Sequence, residues 1–161
     1  MKYLSFILLL LFCSCQSLIN PDKPFICEID GQTYKPAEDT SPIGGIGADQ
    51  LTFKTIDGWL NISANNYPEF VGFRIKLAQS GRLEIKEYSG NDFKGTYISA
   101  SEKSGSSFPS NSLEGKANIT WIQDYEFKGT FEFKVKGQIS GKTYNIAKGR
   151  FYRICKCGKK P

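Results

Sequence analysis

The chain has 161 residues, of which 40% are hydrophobic and 14% aromatic, and this size suits one domain with a single core rather than two domains. Lysine and arginine outnumber aspartate and glutamate by 21 to 16, which gives a formal net charge of +5. The basic residues are spread along the sequence and mostly alternate with apolar ones. Because a nucleic-acid footprint would cluster them, the pattern indicates a solvated sheet face and argues against a nucleic-acid partner.

Residues 1–14 are predicted to be a cleaved signal peptide. Lys2 precedes an apolar run over residues 4–12, which is much shorter than the roughly 18 residues of a membrane-spanning helix. The sequence FCSC that follows resembles the bacterial lipobox, in which a small residue precedes the cysteine that is lipidated. Cys15 fits this role because Ser14 is small. We therefore expect a mature chain that starts at a lipidated Cys15 and stays on its membrane, with an ordinary secretory leader as the alternative.

Residues 15–24 are predicted to form the lipidated N-terminus and a tether, because few residues of this proline-containing segment could pack. In lipoproteins of Bacteroidota, export to the cell surface is associated with acidic residues directly after the lipidated cysteine. Here the first acidic residue is Asp22. This resemblance favours a bacterial outer-membrane anchor that faces the periplasm rather than the cell surface.

Residues 25–161 are predicted to form a single all-β domain, because the hydrophobic period is two and turn signals recur along the whole segment. The pattern favours an antiparallel β-sandwich of about nine strands, and a closed, lipocalin-like β-barrel is the alternative. The strands are predicted, in chain order, at FICEI, QTYKP, LTFKTI, WLNISA, FVGFRIKLA, RLEIKEY, DFKGTYISA, KANITWIQ, YEFKGTFEFKVK and KTYNIAKGRFYRI.

The clearest hairpin is LTFKTIDGWLNISA, in which Asp57-Gly58 predicts a two-residue turn and fixes the register. Phe53 then pairs with Ile62 on an apolar face, and the other face is polar. Trp59 falls on the polar face beside the turn, either as a capping aromatic residue or as part of a ligand surface. With Tyr88, which is also expected on the solvent side, Trp59 forms a candidate ligand surface.

The second clear strand is YEFKGTFEFKVK, in which aromatic residues alternate with lysine, threonine and glutamate. Gly129 interrupts the apolar series, and we expect a bulge or a close approach of backbone there. Two segments, 35–50 and 101–115, are irregular and long for loops. Their acidic residues match no calcium-binding loop, so no metal site is predicted.

Three further cysteines, Cys27, Cys155 and Cys157, lie in a chain predicted to be exported, where disulfides form. Cys27 is in the first predicted strand and Cys155 ends the last one. Because terminal strands are often neighbours, a Cys27–Cys155 disulfide is predicted, with Cys157 as the alternative partner. The three thiols could also hold Cu(I) or Zn²⁺, but without histidine the ligand set is thin.

The chain contains no histidine, which removes the commonest general base and the usual activator of a serine or cysteine nucleophile. No segment is typical of a phosphate-binding loop. We therefore expect no enzymatic activity and no cofactor.

The segments ICEIDGQTY, NITW, FKGTFEFKVK and YNIAKGRFYRI, behind a lipoprotein leader, resemble the small uncharacterised lipoproteins of Bacteroidota. Their domain opens with an apolar-x-Asp-Gly hairpin and closes with a Gly-Thr-Phe strand and a Gly-x-Phe strand. The resemblance implies an envelope-associated β domain and brings no catalytic residues. The expected function is a lipid-anchored, non-catalytic envelope protein that binds a partner protein or polymer. The alternative is a small-ligand carrier or carbohydrate-binding module that uses exposed aromatic residues or a barrel lumen.

Overall fold

The computed structural model describes residues 24–37, 51–99, 112–124, 126–137 and 139–153. The predicted signal peptide, the lipidated Cys15, and Cys155 and Cys157 lie outside these residues. No helix in the described ranges is long and apolar enough to cross a membrane.

The described residues form ten β-strands and one short 3₁₀ turn, Gly90–Asp92. The strands are β1 (Phe25–Ile29), β2 (Gln32–Tyr34), β3 (Leu51–Ile56), β4 (Trp59–Asn66), β5 (Glu69–Lys76), β6 (Glu87–Ser89), β7 (Phe93–Ile98), β8 (Ser112–Gln123), β9 (Glu126–Lys136) and β10 (Thr143–Arg153).

The strands form two antiparallel sheets, a six-stranded one in the order β2-β1-β10-β9-β8-β6 and a four-stranded one in the order β3-β4-β5-β7. Phenylalanine rings from the two sheets meet in the core, with the Phe73 and Phe131 ring centres 4.6 Å apart. Within the described residues no ladder joins one sheet to the other. The predicted all-β sandwich is therefore confirmed, and the closed-barrel alternative is wrong.

The Asp57-Gly58 hairpin has the predicted register, with Phe53 opposite Ile62 and Ile56 opposite Trp59. Both turn residues have positive φ angles, which the mirror-image turns of tight hairpins require and which Asp-Gly tolerates. The RLEIKEY prediction is largely wrong, because only Glu87–Ser89 pairs as a strand. Its apolar Leu83 packs against the core without strand pairing.

Glycines opposite phenylalanines are a repeated feature of the core. Gly129 lies opposite Phe151 and Gly149 opposite Phe131 in the β9–β10 ladder. A Cβ atom at Gly129 would collide with the Asn118 carbonyl oxygen and with the Phe151 ring. The close approach predicted at Gly129 is therefore confirmed, and the bulge lies in the partner strand β8, beyond Ile119.

Candidate binding face

The outer side of the four-stranded sheet carries a row of basic residues. The ladders place Lys54 beside Asn61, Asn61 beside Arg74, and Arg74 beside Lys94. Neighbouring strands are about 4.8 Å apart, so this row crosses the sheet over about 14 Å. Lys76 lies one row away, opposite Trp59. We call the outer side of β3, β4, β5 and β7 the basic face.

The basic face lacks compensating carboxylates. The only acidic residue in strands β3, β4, β5 and β7 is Glu69, whose Oε1 accepts a hydrogen bond from the core residue Tyr97 at 2.5 Å. Among the described residues, no ion pair involves Lys54, Arg74, Lys76 or Lys94. Four positive charges therefore share one side of a small sheet.

Trp59 positions one of these cations. The Arg74 guanidinium carbon lies 4.9 Å from the Trp59 ring centre, within the range of a cation–π contact. Arg74 Nε is buried and has no hydrogen-bond partner among the described residues. Trp59 is half-buried at the solvent side of the hairpin, as the sequence predicts, and its ring holds the arginine in place.

Tyr88 does not belong to this surface. Its side chain is 1% exposed, and its hydroxyl donates to the Glu84 carbonyl at 3.1 Å and accepts from the Glu84 N–H at 2.9 Å. The expectation that Tyr88 lies on the solvent side is wrong, because β6 lies at the edge of the other sheet and turns this ring into the core. Burial raises the pKa of its hydroxyl.

A shallow depression of about 150 Å³ lies in the middle of the basic face. Gly72 contributes no side chain, and the Phe70 ring leans along the strand so that a Cβ at Gly72 would be 2.8 Å from it. Around them stand Ser63, Thr96 and, on the basic side, residues of the charged row. The depression is thus bounded by hydroxyl groups, an aromatic ring and cations.

The outer side of the six-stranded sheet is different, because three of its lysines have acidic partners. Lys134 Nζ is 2.7 Å from a Glu114 carboxylate oxygen, and Lys148 Nζ is 3.0 Å from one of Glu28. Lys116 lies between two glutamates, Glu87 at 3.3 Å and Glu132 at 3.7 Å. Much of the positive charge on this face is therefore compensated by glutamates of the same face.

A second cavity, of about 660 Å³, opens at the end of the sandwich where β10 ends. Its floor is apolar and its rim carries both signs of charge, so it offers no single electrostatic preference. It is lined by Leu60, Leu77, Leu83, Ile122, Phe127, Arg82, Asp124, Glu126 and Arg153, among others.

Cys27 is buried in the core with no disulfide partner among the described residues, and burial raises the pKa of its thiol to about 12. The strands β1 and β10 are neighbours, as the disulfide prediction assumed. The described residues nevertheless give that disulfide no support, and its proposed partners Cys155 and Cys157 lie outside them. The pairing stays a prediction.

The fold and this face define an antiparallel β-sandwich with one uncompensated basic surface. The chain belongs to the DUF6252 family, a domain of unknown function, whose model matches residues 47–155. The matched segment contains β3 to β10, and hence the entire basic face, while β1 and β2 precede it. Comparison with curated proteins and with solved structures gave no significant match.

The family confirms an uncharacterised domain, as the sequence resemblance implied, and the lipoprotein and Bacteroidota parts of that resemblance stay predictions. Sequence reasoning placed Trp59 correctly on the outer side of the hairpin but missed the basic row. The alternation in LTFKTI, FVGFRIKLA and DFKGTYISA already places Lys54, Arg74 and Lys94 on outer faces. It does not show that those faces belong to one sheet.

Proposed function

We propose that this protein is a non-catalytic domain of the bacterial cell envelope that binds a negatively charged polymer through the basic face. The observation that carries the proposal is the set of four cations without a carboxylate on one side of the four-stranded sheet. Lysine and arginine are cationic at neutral pH, so this face is complementary to a polyanion.

The arrangement is unfavourable for a free sheet, which supports a functional reading. Arg74 and Lys94 are direct cross-strand neighbours, and like charges in this position destabilise a sheet. The other face avoids the same problem by pairing each of Lys116, Lys134 and Lys148 with glutamate. A bound polyanion would remove the repulsion on the basic face.

The location in the envelope is proposed from the sequence alone. The leader and the small residue before Cys15 support a lipid anchor, and the tether from Cys15 to the start of β1 spans at most about 35 Å when fully extended. The domain would therefore stay close to its membrane.

The carrier alternative loses one of its two routes, because the two-sheet sandwich provides no barrel lumen. Its other route, binding through exposed aromatic residues, keeps Trp59 and loses Tyr88.

The test is binding of the full chain, purified in detergent, to immobilised dextran sulfate at several salt concentrations. We expect salt-sensitive binding. The variant Lys54→Gln/Arg74→Gln/Lys94→Gln should weaken it by about a hundredfold.

The matched control is Lys116→Gln/Lys134→Gln/Lys148→Gln, which removes the same net charge from the other face. We expect a less than about threefold change in affinity for this control. Equal losses in both triple variants would show that binding follows net charge alone, and the proposal would then be wrong.

A further inference from the structure

The depression on the basic face lies along a row of short residues that crosses the four strands, and the Phe70 ring covers the Gly72 position in this row. We call this row the trough. One row of the sheet consists of Thr52, Ser63, Gly72 and Thr96, which are cross-strand neighbours in that order. The Thr52 and Ser63 hydroxyls are 2.6 Å apart and hydrogen-bonded. The row is about 14 Å long and carries hydroxyl groups on both sides of Gly72, which the Phe70 ring covers.

The two banks of this trough differ chemically. The row on one side is the basic row, with Arg74 fixed by the Trp59 ring. The row on the other side contains Asn65, Phe70 and Ile98, of which Phe70 lies directly beside Gly72. A ligand in the trough therefore meets cations along one edge, hydroxyls below and an apolar, partly aromatic edge opposite.

We infer that the ligand of the basic face is an acidic glycan strand, carrying carboxylate or sulfate groups, that lies in the trough across the four strands. This inference rests on the proposed function and specifies its ligand. Sugar hydroxyls would hydrogen-bond to the threonine and serine hydroxyls, a sugar ring would pack on Phe70, and the anionic groups would point toward Arg74 and Lys94.

Other polyanions fit this surface less well. An acidic peptide commonly binds a sheet by adding to an edge strand, but the trough crosses β4 and β5, whose backbones are paired on both sides. Single-stranded nucleic acid depends on open aromatic rings for base stacking, and the guanidinium of Arg74 already covers one side of the Trp59 ring.

The experiment measures affinity of the full chain, in detergent, for four probes of equal length: hexagalacturonate, neutral cellohexaose, hexaglutamate and hexathymidylate. We expect hexagalacturonate to bind at least about tenfold more tightly than the other three. Thr96→Tyr, on the edge strand β7, would block one end of the trough and should reduce that affinity by about tenfold. Gly72→Thr, which would displace the Phe70 ring, should act in the same direction.

The matched control is Thr130→Tyr, at an exposed position of β9 on the other sheet, which should leave hexagalacturonate affinity unchanged. Circular dichroism of each variant checks that it is folded. If hexaglutamate or hexathymidylate binds as tightly as hexagalacturonate, or if Thr96→Tyr has no effect, the glycan inference is wrong while binding of polyanions stands. If no acidic probe binds the parent chain, both the inference and the proposed function fail.

Discussion

The two outer faces of the sandwich differ in whether their lysine and arginine charges have carboxylate partners. On the six-stranded sheet, lysines lie next to glutamates, and Lys134 and Glu114 are 2.7 Å apart. On the four-stranded sheet, Arg74 and Lys94 are neighbours and no carboxylate lies between them. The first face compensates much of its own positive charge, whereas the charge of the second would be compensated by the polyanion that we propose as its ligand.

The inner faces of the two sheets are alike, so the difference in charge between the outer faces is not a consequence of how the sheets pack. Both present phenylalanines, and both use glycines to let those rings approach: Gly95 lies opposite Phe73 in one sheet and Gly115 opposite Phe133 in the other. Tyr34 of the six-stranded sheet donates a hydrogen bond to the Ala64 carbonyl of the four-stranded sheet at 2.9 Å. Stability thus depends on the inner faces, and the outer faces can differ.

The largest effect is expected where an inner glycine is replaced. Gly129→Val would drive a branched side chain into the Asn118 carbonyl and the Phe151 ring, and should lower the free energy of unfolding by about 3 kcal/mol or more. Gly72→Val, on the outer face, displaces only the end of the Phe70 ring and should change it by less than about 1 kcal/mol. Urea unfolding of both variants tests this, and equal losses would contradict the division between inner and outer faces.

The second largest effect is expected at alkaline pH, which should lower the free energy of unfolding through buried tyrosines of the inner faces. Burial raises the pKa of both Tyr34 and Tyr97, and the hydrogen bond from Tyr97 to Glu69 raises that of Tyr97 further. In the unfolded chain tyrosine ionises near pH 10, so the stabilisation is complete below that pH and declines above it, by about 1.4 kcal/mol per tyrosine at pH 11.

Tyr97→Phe should make this alkaline decline shallower, since one group no longer ionises, and should cost about 1 kcal/mol at pH 7 through its lost hydrogen bond. Urea midpoints at pH 8, 10 and 11 measure both effects. An unchanged pH dependence in Tyr97→Phe would mean that this hydroxyl is not held neutral in the core.

The rate at which Cys27 is alkylated measures how well the native core protects its thiol, and this measurement needs no substitution in the core. Because its pKa is about 12 and the thiolate is the reactive form, iodoacetamide should modify Cys27 at pH 8 at least about a hundredfold more slowly in the native protein than in urea. Peptide mass spectrometry without reductant follows this residue alone. If urea exposes no thiol at Cys27 until a reductant is added, the predicted disulfide is present after all.

The smallest effects concern single charges on the two outer faces. At low salt, Lys134→Gln should lower the urea midpoint slightly because Glu114 loses its partner, whereas Lys94→Gln should raise it slightly because Arg74 loses a repelling neighbour. Both differences should fade at 1 M salt, where the Debye length is about 3 Å. If both substitutions shifted the urea midpoint in the same direction, the two outer faces would not differ in charge compensation as described.

The sequence by itself determined which side of most strands faces the core. Alternation in YEFKGTFEFKVK put Phe127, Phe131 and Phe133 inside, and all three are buried. Asp57-Gly58 fixed a complete hairpin register, because a two-residue turn leaves only one pairing. These signals are local, and a period of two is sufficient to define an inside and an outside.

Only the tertiary structure decided which strands share a sheet, and with it the candidate site. The sequence spreads Lys54, Arg74 and Lys94 over 41 positions, and they form one row because β5 pairs with both β4 and β7. Tyr88 shows the same dependence on tertiary structure, since the sequence predicted an exposed ring and the position of its short edge strand buries it in the core. Alternation specifies the direction of each side chain, but long-range strand pairing, which is selected by the packing of the entire core, specifies its neighbours.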